Sequence, residues 1–197
     1  FGGNPDVVAA DLSPWLDNRF SIAEKLAKLE AQTHRRFIKT HLPLDALVFS
    51  PNARYIYIGR DGRDVVWSFY NHHRNHTQTF YDLVNNTPGR VGPPFERPTS
   101  DIRQYWHEWL DRDGYPYWSF WENVRGWWEV RDLPNALLVH FANLKSDMPG
   151  ETRRIAAFLG IPIDEARWDQ VLEHCSFAWM KANAAKIAPN AGAAWEG

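Results

Sequence analysis

Two short stretches of this 197-residue chain combine residue types and spacings that could do chemistry. In GRDGRDVVWSFY (59–70), Arg60 leaves the carboxyl end of an expected strand, the edge where α/β folds bind ligands. Ser68 lies eight residues on, inside the helix that follows. An arginine fork and a hydroxyl converging there can hold one anionic group, the guanidinium through bidentate, charge-assisted bonds. A plainer reading is open too: Arg60, Asp61, Arg63 and Asp64 as a surface ion-pair cluster. In FIKTHLP (37–43), Lys39 and His41 alternate along an extended segment and can point to the same side. The neighbouring lysine lowers the histidine pKa by like-charge repulsion, which favours a neutral imidazole able to accept a proton. The alternative is a strand-end lysine and a histidine satisfying a loop carbonyl.

The elements that must position these residues follow from periodicity. RYIYIG (54–59), rich in Tyr and Ile and closed by a glycine, predicts a strand. Val65, Val66, Phe69 and Tyr70 then recur at helical spacing, with Asp61 or Asp64 near the positive helix start. Strand, glycine turn and helix form the half-unit of a parallel α/β sheet. A second buried strand is expected over LLVHF (137–141), after a helix that begins at Ser119 with Glu122 completing a capping box. Helices are expected over about 150–159, stopped by Gly160 and Pro162, and from near Asp164 to about His174. Upstream, residues 1–20 read as a loop and 36–41 as a short strand. A helix over about 21–32 is expected from a Ser21/Glu24 capping box and an Ile22, Leu26, Leu29 face. The segment 77–100 contains Pro88, Gly89, Gly92, Pro93, Pro94 and Pro98, which preclude regular structure across its second half. Directly after the Arg60 motif, a loop of this length reads as a lid or an acceptor-side loop.

Composition narrows the classes. With 44% apolar and 23% charged residues and a mean hydropathy of -0.51, the chain is neither disordered nor membrane-spanning. No run approaches the ~18 apolar residues a bilayer span needs. A net charge of -2 argues against a nucleic-acid partner, even though 11 tryptophans could in principle stack bases. The single cysteine, Cys175, forms no internal disulfide and suits a reducing cytoplasm. His72 and His76, at i and i+4, could share a metal. No further ligand stands near them, so the histidines after the Arg60 motif read as solvated or acceptor-facing and no metal is expected. Tyr105, Trp106 and Trp109 fall at core spacings, whereas Tyr70, Phe80, Tyr81, Trp118 and Trp121 could line an apolar acceptor pocket.

Taken together, FIKTHLP and RYIYIGRDGRDVVWSFY resemble the soluble, cytosolic-type sulfotransferases that use 3'-phosphoadenosine 5'-phosphosulfate (PAPS). Further matches follow in order: Trp127 and Trp128 ahead of LLVHFANLK, then ETRRIAAFLGIP, then EHCSFAWMKAN. The resemblance covers about residues 36–183, weakly over the lid and 100–118, and SPWLD and KIAPN lean toward the bacterial, glycolipid-type branch. It implies a three-layer α/β fold, a parallel sheet flanked by helices and related to P-loop proteins. It also implies transfer of the sulfuryl group of PAPS to a hydroxyl or amine of a small aromatic, steroid-like or lipid-linked acceptor, releasing 3',5'-adenosine bisphosphate (PAP). Carried over, His41 is the general base and Lys39 stabilises the leaving phosphate. Arg60 and Ser68 hold the 3'-phosphate, and Phe141, Cys175, Ser176, Phe177 and Met180 surround the adenine.

Departures from the family pattern are informative. Phe141 stands where a tyrosine is common, Cys175 where threonine is common, and Asn123 where an acceptor-site histidine is frequent. Nothing before Phe37 resembles the family's glycine-rich phosphate loop, and the Arg-Lys-Gly arm after CSF is absent. The chain opens on Phe1 without a signal peptide and is expected to be an internal portion of one sulfotransferase domain, incomplete at both ends and inactive alone. The rival is a catalytically dead PAPS- or PAP-binding or interaction module. Acceptor identity and oligomeric state stay open.

Overall fold

The computed structural model describes residues 12–17, 21–187 and 194. They belong to two compact units, one of residues 1–42 with 163–192 and one of 43–162 with 193–197.

In the second unit, β1 (Tyr55–Gly59) and β2 (Ala136–His140) pair in parallel, in register from Tyr55↔Ala136 to Gly59↔His140. Both are runs of Tyr, Ile, Leu and Val, which suit a pleated, half-buried surface. After β1 comes α2 (Gly62–Arg74), started by the Asp61 carboxylate accepting from the Arg63 amide. Ahead of β2 lies α5 (Phe120–Glu129), capped by the Ser119 hydroxyl accepting from the Glu122 amide. The Glu122 carboxylate turns to Arg125, so only half of the expected capping box forms. Tyr55 and Tyr57 share one face of β1, and Trp127 of α5 packs on both rings, stacking on Tyr57 at 5.3 Å. The result is an α/β unit with a parallel sheet flanked by helices.

One strand boundary is corrected. The second strand ends at His140, and Phe141 opens a helix not foreseen, α6 (Phe141–Ser146). The His140 imidazole caps it by accepting from the Ala142 amide, which turns the chain out of the ladder. Next, α7 (Met148–Leu159) starts at an Asp147 cap and stops at Gly160, whose φ of +65° closes the helix in the left-handed region.

The core of this unit joins Val66 and Tyr70 of α2 to Tyr105 and Trp109 of α4 (Ile102–Asp111), with Phe120 packed against them. Segment 77–100 opens as a helix, α3 (Gln78–Asn85), because the Thr77 hydroxyl accepts from the Phe80 amide. Its proline-rich remainder is irregular. Asn85 exchanges two hydrogen bonds with the Phe95 backbone, and the Arg97 guanidinium donates to the carbonyls of Arg74 and His76 at the end of α2. Of the histidines after the Arg60 motif, His72 is exposed as expected, whereas two are not solvated. His73 and His76 are each 2% exposed, and His73 Nδ1 lies 3.2 Å from the Tyr105 hydroxyl. Among the described residues no cluster of His, Cys, Asp or Glu could hold a metal ion, and no helix is long and apolar enough to cross a membrane.

In the first unit, α1 (Ile22–Glu30) buries Leu29 but leaves Ile22 and Leu26 nearly half exposed. Ser21 has φ 50°, in the left-handed region, and its side chain makes no capping bond, so the Ser21/Glu24 box does not form. Residues 36–41 are irregular where a strand was expected, since they join no ladder with a described strand. The helix expected from Asp164 divides into a 3-10 turn (Glu165–Arg167) and α8 (Trp168–Cys175), followed by α9 (Phe177–Ala182) and α10 (Ala184–Ile187). The loop expected over 1–20 lies outside the described residues except at 12–17.

Burial, reinforced by the neighbouring His72 and His76, holds the His73 imidazole down to about 3 from its ordinary 6.5. The unfolded chain therefore binds a proton there that the fold refuses, and stability is lost as pH falls from 6.5 toward 3. Chemical denaturation between about pH 6 and pH 5 is expected to show a slope that His73→Phe reduces by one proton's worth, roughly 1.4 kcal/mol per pH unit. An unchanged slope in the variant would refute the assignment.

Candidate active site

Because the ladder ends at Gly59↔His140, the next residues on the two strands, Arg60 and Phe141, emerge side by side. The Arg60 guanidinium carbon stands 4.6 Å from the Phe141 ring centre. An aromatic face attracts a cation and fixes its plane without using its N–H donors. Arg60 Nε is buried and, among the described residues, has no hydrogen-bond partner; an Asp64 carboxylate oxygen is 3.9 Å away. A buried donor left unmade costs on the order of 1–3 kcal/mol, so this guanidinium suits an acceptor that a bound anion would bring.

The charged cluster of the Arg60 motif thus divides. Arg63 and Asp61 pair at 2.7 Å, and hydrogen bonds from the Arg63 side chain and amide hold the Asp61 carboxyl down to about 2. That is one surface ion pair of the plainer reading, and Arg60 with Asp64, whose oxygen lies 3.9 Å from Nε, is a second and looser one. Asp64 and Ser68 follow at successive i+4 steps, and Ser68 is exposed on α2, whose positive N-terminal end lies on the same side of the chain as Arg60.

In the other unit, Lys39 and His41 meet on one aromatic ring. Lys39 Nζ lies 5.1 Å from the Trp15 ring and the His41 ring lies 4.9 Å from it. Asp17 fixes the backbone between them, accepting from the Thr40 hydroxyl at 3.1 Å and from the His41 amide at 2.5 Å. The His41 pKa is lowered, first by burial and then by Lys39, against a smaller opposing pull from Asp17. The imidazole is therefore neutral at neutral pH. Also in this unit, the Ser176 hydroxyl caps α9 by accepting from the Trp179 amide, Cys175 carries a free thiol, and Phe177 and Met180 turn 81% and 48% of their surface outward.

The residues expected to line an acceptor pocket are distributed differently. Tyr70 and Tyr81 are buried, their hydroxyls donating to the carbonyls of Ser100 and His73. Phe80 stacks on His76 at 3.7 Å, and Trp118 and Trp121 are about half exposed. Asn123 keeps a buried Oδ1 without a partner among the described residues. A cavity of about 250 Å³ lies between residues 93–99 and α4, lined in part by His73, Tyr105 and Arg112 and by none of those six.

The sulfotransferase domain model matches residues 4–193. The chain belongs to the sulfotransferase family. A glycolipid sulfotransferase of Mycobacterium tuberculosis is 33% identical over 91% of this chain and 61% of its own length, and mouse sulfotransferase 1B1 is 31% identical over 75% and 44%. Among solved structures, mouse sulfotransferase SULT7A1 complexed with PAP superposes with a TM-score of 0.64 at 26% identity, covering 84% of this chain and 54% of that one. Retinol dehydratase in complex with retinol and PAP gives 0.61 at 28%, covering 90% and 51%. This sulfotransferase chain spans about three fifths of the length of the mycobacterial relative.

Three residues of the sulfotransferase chain escaped sequence reasoning. Trp15 and Asp17, in the SPWLD stretch, sit more than twenty positions before the residues they hold, and nothing local assigns them that role. Lys145, whose Nζ lies 6.0 Å from the Phe141 ring, becomes visible only once a helix is known to start at Phe141. Asp17→Ala is expected to speed hydrogen exchange of the His41 amide by at least about tenfold and to lower stability by roughly 1–2 kcal/mol. Unchanged protection at His41 would show that Asp17 does not hold the segment.

Proposed function

We propose that this sulfotransferase chain, in its whole protein, moves the sulfuryl group of PAPS to a hydroxyl or amine of a small or lipid-linked acceptor. The observation that carries the reading is the Arg60 guanidinium at the carboxyl end of a parallel strand, held on Phe141, its buried Nε without a hydrogen-bond partner among the described residues. That is the place and the chemistry for a phosphate, and the solved relatives above are complexes with PAP. In this reading Arg60 and Ser68 hold the 3'-phosphate, and the residues proposed for the adenine are Phe141, Cys175, Ser176, Phe177 and Met180.

His41, neutral by burial and by the charge of Lys39, takes the proton of the acceptor as its oxygen or nitrogen attacks sulfur. The bond between sulfur and the 5'-phosphate oxygen breaks and PAP leaves. Lys39 meets the charge that grows on that oxygen, so positioning and electrostatics supply most of the rate enhancement. We assign the acceptor to the aromatic or lipid-like alcohols: one relative is a glycolipid sulfotransferase, and one neighbour is bound to retinol. Tyr70, Phe80, Tyr81, Trp118, Trp121 and Asn123 remain its proposed lining, and residues 77–100 the acceptor-side segment. A reducing, cytoplasmic setting is part of this proposal, and the single cysteine is compatible with it.

Transfer from sulfur-labelled PAPS to a panel of phenols, sterols and glycolipids, with the whole protein, tests the mechanism. His41→Ala is expected to lower the transfer rate by about 10²–10⁴-fold while PAP still binds, and Arg60→Ala to raise the KM for PAPS. Because the His41 pKa is lowered, the acid limb of the rate profile should fall below 6.5 and vanish in His41→Ala. A variant keeping most of the wild-type rate with the same limb would refute the base assignment.

A further inference from the structure

We propose that Lys145 is a second cation on the anion that Arg60 binds, a positioning residue that sharpens selection for a 3'-phosphorylated nucleotide; this rests on the donor reading above. The helix that starts at Phe141 places Lys145 one turn on, at i+4, on the face that carries the ring. Its ammonium lies 6.0 Å from the ring centre and the Arg60 guanidinium 4.6 Å from it, so one aromatic side chain gathers two positive charges. Lys145 makes no ion pair with a described residue, and Asp64, at 3.9 Å, answers only the Arg60 side. Both cations reach one ring, and a phosphate monoester, carrying about -1.5 to -2, has charge enough to answer both.

The two cations differ in kind. Arg60 has a planar fork and one N–H already desolvated, which sets direction. Lys145 is exposed, and its compact ammonium on a flexible stem can close on the phosphate once it is seated. Phe141 matters to both because it is a bare ring. A tyrosine, common in the family at this position, would add a hydroxyl at the ring edge, whereas phenylalanine offers only the π surface that both cations use.

Isothermal titration of the whole protein with PAP and with 5'-AMP, for wild type, Lys145→Met, Lys145→Arg and Arg60→Ala, tests this. Lys145→Met is expected to weaken PAP binding by about five- to tenfold and to change 5'-AMP binding less than twofold, with Lys145→Arg close to wild type. The loss should shrink as salt is raised, since an exposed cation is screened. Equal PAP binding by Lys145→Met and wild type, or equal losses toward PAP and 5'-AMP, would overturn the proposal while leaving the donor reading intact. A wild type that binds PAP no better than 5'-AMP would overturn both, and circular dichroism of each variant verifies that the fold is kept.

Discussion

The parallel pairing of β1 with β2 is the constraint on which the candidate site depends. Its register ends with Gly59 opposite His140, so the two chains must diverge at the same level. Whatever residues come next are neighbours, and here they are a guanidinium and a phenyl ring. Each strand then passes into a helix, through an Asp61 cap on one side and a His140 cap on the other. Backbone hydrogen bonding thereby sets the spacing of Arg60 and Phe141, two residues about eighty positions apart in sequence. Tyr55, Tyr57 and Trp127 hold the sheet beneath them against α5.

Around this frame, the sequence was most legible where a local rule decides the outcome. The run YIYIG, the glycine after it and the Asp61 carboxylate needed no tertiary information to announce a strand, a turn and a helix. Tyr105 and Trp109 declared themselves as core by spacing alone. Legibility failed where a residue's role is set from a distance. Ser21 has the right neighbour for a capping box, but its backbone sits in the left-handed region and the box cannot close. Residues 36–41 look like a strand by composition, yet a strand exists only through a partner. His73 and His76 looked like polar residues at a helix end, and packing against Phe69, Phe80 and Phe95 buried them. Phe141 lay one residue past the true strand end, a small error that concealed α6 and with it Lys145.

The candidate site followed the same division. Arg60, Lys39 and His41 are candidates because their residue types and local spacing suit anion and proton chemistry. Lys39 and His41 share the Trp15 ring, while Asp17 fastens the backbone between them. Asp17 carries no sequence signal, because a carboxylate accepting from an amide across 24 residues is a product of the fold. The ion-pair reading of the Arg60 motif holds for Arg63 with Asp61 at 2.7 Å and more loosely for Arg60 with Asp64, whose 3.9 Å separation is too long for a hydrogen bond to Arg60 Nε.

The central claim is that Arg60 answers a phosphate on a nucleotide's ribose. Phosphorus-31 spectra of PAP, which resolve its 3'- and 5'-phosphates, test it most directly. With the wild-type whole protein added, the 3'-phosphate resonance should shift and its second pKa should fall, because a fixed guanidinium favours the dianion. With Arg60→Ala both effects should disappear from that resonance. A 3'-phosphate that titrates as in free PAP beside the wild-type protein, or one equally perturbed by Arg60→Ala, would contradict the account.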